Sequence, residues 1–502
     1  MRLLVAAVAV AACSGRPPDA PAREDGAHDA DADAVAPDAP TADAPDDDFP
    51  SIPIVLADAT IEAGLPAAST NCLVFDDLDG DDRPDLLLGV PGEGLVLYVN
   101  RGDGTFGGAP LGVPADGRSC AAGDFDADGV ADVAVAHDAG SVTLLRGLGD
   151  GGFEDVSTRL PDLVPALHVT LSFVGFVDFD ADGDLDLYVG YLYPREFPAA
   201  TSECGATEDD YACTIDPPLD QVPPRLLRND GAGFVVVADA FGGTGRIVWA
   251  AGAIDWDGDG FVDLLQSVDF GSNALDRNLG GGGAFEDVLP ALGAAPYNHG
   301  MGVAVGDFDR VGEWDFYVAD LGPDQFWFGR DGTLANRAAE LGVAEATRFT
   351  SSWSPVAADL NHDGRLDLFV PTTLAAPTLE EFERVLSLGA SSIEAFAQRD
   401  LLFAAGADGF EVSAIEHAET VALAESAAAA AADYDGDGDL DIAEAYAEPR
   451  RFRLLRNDTD SGGHWLQVRL RGAADGAVVE VERGGVIDRR IVTGESGGTG
   501  KS

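Results

Sequence analysis

Positive charge is scarce in this chain. Lysine and arginine together number 30 of 502 residues, against 89 aspartates and glutamates, for a formal charge of −59. A surface of that sign repels a phosphate backbone, which excludes nucleic acid as a partner. Histidine and cysteine are also few, at 7 and 5, and with no H-E-x-x-H and no His-Cys constellation a zinc site has no ligand set. Long apolar runs are missing: beyond the first twelve residues nothing approaches the roughly 20 consecutive apolar residues that span a bilayer. Glycine is what the chain has in excess, 62 residues, well above the usual share of about 7%. Many tight turns in an acidic chain that is 46% hydrophobic point to β structure with cation sites.

The amino terminus reads as an export signal. Met1–Ala12 (MRLLVAAVAVAA) carries one arginine and a short apolar run ending in small residues, the pattern of a secretory leader. Val10-Ala11-Ala12-Cys13 resembles the lipobox of bacterial lipoproteins, whose thiol is diacylated; an ordinary leader cleaved after Ala9-Val10-Ala11 is the alternative. Residues 14–50 are built from Ala, Pro and Asp, with acids outnumbering Arg16 and Arg23. Such a stretch buries no core and is expected to be a disordered tether. The expected partition is a lipoprotein signal over 1–13, the tether over 14–50, a folded body over 51–458 and a short terminal unit over 459–502. Four further cysteines in an exported chain favour disulfides. Cys204 and Cys213 bracket a short loop that a bond would close. Cys72 and Cys120 occupy matching places in neighbouring repeats and would join them.

Those repeats dominate the sequence. The pattern D-x-D-x-D-G-x-x-D recurs seven times, starting at Asp77, Asp124, Asp178, Asp255, Asp307, Asp359 and Asp433, with intervals of 47, 54, 77, 52, 52 and 74 residues. The two long intervals each hold an insertion: Tyr191–Pro224, read as loop, and Thr378–Asp400, whose Leu379, Phe382, Val385 and Leu386 have helical spacing. Without them the period is about fifty residues. Each loop lies between two apolar runs, and a third and fourth follow around a glycine-rich turn. Four antiparallel strands per repeat are the content of a propeller blade, so the expected fold is an all-β, seven-bladed β-propeller. The Ala- and Gly-rich runs before the loops suit innermost strands, although Ala427–Ala432 favours helix by propensity. The last repeat lacks a fourth strand, and Val55–Leu65 is an orphan one; pairing the two would close the ring and leave no open edge. A solenoid is the alternative.

The loops have the chemistry of calcium sites. Carboxylates at positions 1, 3, 5 and 9 converge and oppose one another's ionisation, a conflict that a hard divalent cation relieves. The candidate ligands are Asp77, Asp79, Asp81 and Asp85; Asp124, Asp126, Asp128 and Asp132; Asp178, Asp180, Asp182 and Asp186; and Asp255, Asp257, Asp259 and Asp263. They continue as Asp307, Asp309 and Asp315; Asp359, Asn361, Asp363 and Asp367; and Asp433, Asp435, Asp437 and Asp441. Up to about seven Ca2+ ions are expected. The fifth loop should be weakest, because Val311 stands at position 5, and Asn361 still offers a carbonyl oxygen in the sixth. Asp82 replaces the position-6 glycine of the first loop. His362 should point away from its own loop.

These loops resemble FG-GAP/VCBS repeats, the propeller blades of integrin α-chains and many bacterial exported proteins. More narrowly, HGMGVAVGDFD (299–309), LLRNDGAGF (226–234), Trp353 before its loop and YACTIDPP (211–218) resemble the cartilage acidic protein family. GGHWLQVRLRG (462–472) and IVTGESGGTG (491–500) resemble parts of its terminal ASPIC/UnbV domain, here only partial. The resemblance implies a calcium-binding extracellular or surface protein with no agreed enzymatic activity. Gly494-Glu495-Ser496-Gly497-Gly498 fits a serine-nucleophile motif, and Gly500-Lys501-Ser502 imitates a phosphate loop, but neither is followed by the helix it needs. Arg101-Gly102-Asp103 falls in a turn where other repeats place glycine. With no catalytic residues to nominate, the expected function is a binding or adhesion scaffold, lipid-anchored at the bacterial outer membrane or cell surface, whose partner is an extracellular protein or glycan. The alternative is a surface hydrolase or lyase acting on glycans or lipids.

Overall fold

A computed structural model describes residues 52–461, apart from 67–71, 115, 164–168, 195–200, 207–210, 217–220, 295–296, 349, 375–398, 407–408, 417–426 and 447–451, together with two strands beyond. The leader, Cys13, the tether and the expected helix within Thr378–Asp400 lie outside the described residues, as do residues 462–477 and 492–502.

Seven four-stranded antiparallel sheets form, one per repeat. Their innermost strands are Leu73–Asp76, Gly117–Gly123, Val169–Val177, Ile247–Ile254, Gly302–Gly306, Val356–Ala358 and Ala427–Ala432. Consecutive innermost strands touch one another around a complete cycle, the seventh against the first. The protein is therefore a seven-bladed propeller, and the solenoid is excluded.

Closure is made by the amino-terminal strand. Leu56–Asp58 pairs antiparallel with the third strand of the last blade, Leu56 opposite Asn457 and Asp58 opposite Leu455. Hydrogen bonds from Val55 N to Thr459 Oγ1 (2.9 Å) and from Ala59 N to the Leu454 carbonyl (2.8 Å) extend the seam. The paired segment is shorter than Val55–Leu65: after Thr60 the chain turns, and Ala63 and Leu65 pack beneath the first blade.

The hydrophobic core is divided into layers between adjacent blades. Side chains alternate along each strand, so one set faces the preceding blade and the other the following one. Leu73 and Phe75 pack with the seventh blade, whereas Cys72 and Val74 pack with the second. The alanine run shows the same alternation without any change of residue: Ala428 and Ala430 meet the first blade, Ala429 and Ala431 the sixth. Sheet pairing and burial on both faces override alanine's helical preference there. Small residues are required for the approach. A Cβ on Gly306 would lie 2.4 Å from Leu366 Cδ1 of the next blade, and one on Gly123 would lie 2.8 Å from Leu185 Cδ1.

The insertion in the third blade corrects an expectation. Tyr191–Pro224 is more than loop: the second strand runs on to Pro194, and Thr201–Ala206 pairs with Tyr211–Asp216 as a separate hairpin. Its register sets Cys204 opposite Cys213. Cys72 and Cys120 form a disulfide, fastening the inner edges of the first two blades.

Candidate metal centres

Each acidic loop joins the innermost strand of a blade to the second, so all seven lie at corresponding ends of the blades. Their conformation follows from side chains that cap the loop's own backbone. The position-1 aspartate accepts the position-6 N–H at 2.8–3.1 Å in every loop. Position 5 accepts the position-7 N–H wherever it is Asp. Position 6 is left-handed throughout, with Asp82 at φ 69° taking the glycine's place. Position 4 is left-handed too, and Ala127, Ala181, Arg310 and His362 adopt it without glycine. Sequence reasoning missed this second strained position because alanine and arginine carry no turn signal.

Position 9 has a second role. In all seven loops this aspartate is fully buried. One oxygen accepts the position-2 N–H at 2.7–3.2 Å. The other accepts an N–H from the end of the third strand at 2.6–3.0 Å. It thus staples loop to sheet. Burial, the largest cause, raises its carboxyl to about 7 in Asp85 and Asp132, about 6 in Asp263 and about 8 in Asp186, Asp315 and Asp441, and well above the ordinary value in Asp367.

The carboxylates converge in part: positions 1, 3 and 9 come together in four loops, without position 5, and positions 1, 3 and 5 in the fourth, without position 9. Ligand oxygens of Asp77, Asp79 and Asp85 lie within 4.8 Å of one another, as do those of Asp124, Asp126 and Asp132, of Asp178, Asp180 and Asp186, of Asp307, Asp309 and Asp315, and of Asp255, Asp257 and Asp259. Within three of these triads one position-3 oxygen is buried with no hydrogen-bond partner: Oδ1 of Asp126, of Asp180 and of Asp309. A buried carboxylate oxygen without a donor is costly. At Asp126 and Asp180 a hard cation is the ligand that fits, whereas Asp309 has the Arg330 guanidinium 2.9 Å from its other oxygen. In the sixth loop Asn361 Oδ1 accepts Asp363 N while its Nδ2 turns away to the Ile52 carbonyl. His362 reaches out to Asp439 (3.4 Å) of the seventh loop, away from its own.

A further set of residues links the loops. The third strand ends in Asn100, Asn229, Asn278 or Asn457 in four blades. Each of these side chains donates Nδ2 to the position-2 carbonyl of the preceding blade's loop, on Tyr434, Phe125, Phe179 and Leu360 respectively, at 2.7–2.8 Å. The second and fifth blades have Gly147 and Gly329 at this place, where a Cβ would lie 2.4 Å from the Ala131 carbonyl oxygen and 2.5 Å from that of Trp314. The Asn recurring before four of the turns is the available signal, but sequence does not show its partner on another blade.

Other buried charges sit between blades and are matched by side chains. Arg453 bonds to Asp400 and Glu444, and the Tyr446 hydroxyl donates to Asp400. Arg246 pairs with Asp276, which also accepts from Gln266. His299 Nδ1 lies 2.8 Å from Asp269, which accepts from Trp249 Nε1 as well.

Blades, closure and loops together define a propeller of repeated acidic hairpins. The FG-GAP-like repeat family matches residues 77–135, 124–189 and 312–370, so this seven-bladed propeller contains FG-GAP-like repeats, a fold that generally serves binding. The chain is similar to Cartilage acidic protein 1 of Xenopus tropicalis, 27% identical over 180 residues that make up 34% of this chain and 24% of that protein. The match thus spans about a quarter of that relative's length. Among solved structures it is similar to BBS1N in complex with ARL6DN (TM-score 0.45, 10% identity, 80% of this chain and 96% of that one). It is also similar to Sqt1 of Saccharomyces cerevisiae (TM-score 0.41, 10% identity, 82% and 100%). Among the described residues no helix is long and apolar enough to cross a membrane.

Proposed function

We propose that this protein is an exported, calcium-stabilised propeller acting as a binding scaffold, held at the bacterial outer membrane or cell surface by lipid on Cys13. The supporting observation is the unpartnered buried Oδ1 of Asp126 and of Asp180 inside carboxylate triads. Calcium's preference for six to eight oxygens at relaxed geometry suits such loops better than magnesium's demand for octahedral coordination with retained waters. The ion neutralises charge that otherwise opposes compaction in a chain of −59. The partner class is an extracellular protein or glycan, recognised through the loops and blade edges that a rigid ring presents.

Metal analysis of the purified chain with melting in chelator, calcium and magnesium tests this reading. Bound calcium and a chelator-sensitive melt restored by calcium more than by magnesium are expected. A metal-free chain whose melt ignores chelator would reject it. Turnover of a glycan or lipid substrate, abolished by one substitution outside the loops, would replace the scaffold with an enzyme.

A further inference from the structure

The two loops with only three of the four carboxylates are the fifth, with Val311, and the sixth, with Asn361. The fifth lies where the carboxy-terminal hairpin, Val478–Arg483 with Val486–Ile491, meets the ring. Ile491, 2% exposed, enters the core layer between the fourth and fifth blades beside Trp256 and Trp314. This seats the preceding residues over the loops. Arg489 donates Nη1 to the Gly312 carbonyl, at position 6 of the fifth loop, and its Nε to Glu480 Oε1 at 2.7 Å across the hairpin. A Cβ on Gly312 would stand 3.1 Å from Arg489 Nη1, so the guanidinium rests against the loop backbone itself. Arg330 lies 2.9 Å from Asp309 in the same loop. The positive charge of Arg489 favours ionised Asp307, and that of Arg490 favours ionised Asp359 in the sixth loop, each against the upward push of burial. In a chain with 30 basic residues against 89 acidic ones, the hairpin brings one arginine onto the backbone of a loop that has lost a carboxylate.

We propose that the carboxy-terminal hairpin is a cationic clasp for the fifth loop, Arg489 supplying there the positive charge that calcium supplies at the four-carboxylate loops, so that the fifth loop is ordered by the hairpin and takes no calcium. The contrast with the other loops rests on the calcium reading above. Val311 makes physical sense in this arrangement: a fifth-position carboxylate is unnecessary where the cation is a fixed guanidinium, and Val311 N still donates to Asp307 Oδ1 at 3.0 Å to close the turn.

The test uses the full chain as wild type, Arg489→Ala, Arg489→Lys and the double variant Arg489→Ala/Val311→Asp. Amide exchange over residues 307–315 is compared with that over 124–132, with and without calcium, and bound calcium is measured per chain. Arg489→Ala is expected to speed exchange at 307–315 about tenfold, as loss of one charge-assisted hydrogen bond implies, leaving 124–132 unchanged. Calcium should not reverse that effect, and Arg489→Lys, which keeps the charge, should recover part of the protection. The double variant should gain one calcium ion and protect 307–315 only when calcium is present. The proposal is overturned if Arg489→Ala leaves exchange at 307–315 unchanged, or if calcium protects that loop in the wild type as it does 124–132. If no variant binds calcium at all, the calcium reading falls, and the comparison of wild type with Arg489→Ala still decides whether the hairpin orders the loop.

Discussion

The acidic groups of this propeller are buried in two ways. In the loops, position 9 is enclosed by backbone N–H donors from its own blade, repeated almost unchanged around the ring. Between the blades, Asp400, Glu444, Asp276 and Asp269 are each matched by a particular arginine or histidine. The first arrangement satisfies each oxygen locally and leaves the charge to an ion. The second satisfies charge with charge, at one place and with one partner. The lesson is that repetition and burial of charge are compatible only when neutralisation comes from something every repeat can bind; a side-chain partner must be supplied separately each time, and this chain has few cations to supply.

Removing a side-chain partner should break the contrast most sharply. Arg453→Ala strands Asp400 and Glu444, both fully buried, and should cost about 3–5 kcal/mol. Arg146→Ala, which loses a surface pair with Glu154, should cost far less. Denaturant unfolding of both variants measures the difference, and equal losses would mean that the interblade pair contributes no more than a surface contact.

The loops should respond instead to pH and metal. A carboxyl held at about 8 when folded and near its ordinary value of 3.8 when unfolded, as for Asp186, Asp315 and Asp441, binds more protons in the folded chain. Its stabilising contribution is therefore complete below about pH 4 and is lost as pH rises through about 8. In chelator the melting temperature should be about 5–10 °C lower at pH 8 than at pH 5.5. With calcium, which binds the ionised carboxylates, that difference should shrink or reverse. A chelated melt that rises with pH would contradict this account.

The smallest expected effect concerns the asparagine bridges. Asn278→Ala leaves the Phe179 carbonyl of the neighbouring loop without its 2.7 Å donor and should cost about 1–2 kcal/mol. The loss should appear as faster amide exchange in the third and fourth blades only. Exchange altered throughout the ring would show the bridge to be more than a local link.

How much of this was legible beforehand differs by element. The seven loops, the blade count, the amino-terminal closure and the Cys72–Cys120 bond could all be anticipated, since each recurs or completes a recurring pattern. The hairpin at Thr201–Ala206 and Tyr211–Asp216 was read as loop, because prolines and glycines nearby masked its two short strands. The left-handed position 4 escaped notice at Ala127 and Arg310, where loop closure, not residue preference, imposes the conformation.

Local chemistry, then, determined the repeating part of this protein. Alternating apolar residues dictate strands, D-x-D-x-D-G-x-x-D dictates a capped turn rich in carboxylates, and seven copies dictate a ring. Tertiary structure alone decided which asparagine reaches which neighbouring carbonyl, which arginine meets which buried acid, and where Arg489 comes to rest. Those contacts join residues up to 334 positions apart and occur once or a few times each. No period announces them, and only the closed ring, by setting the distance between blades, brings their atoms within reach.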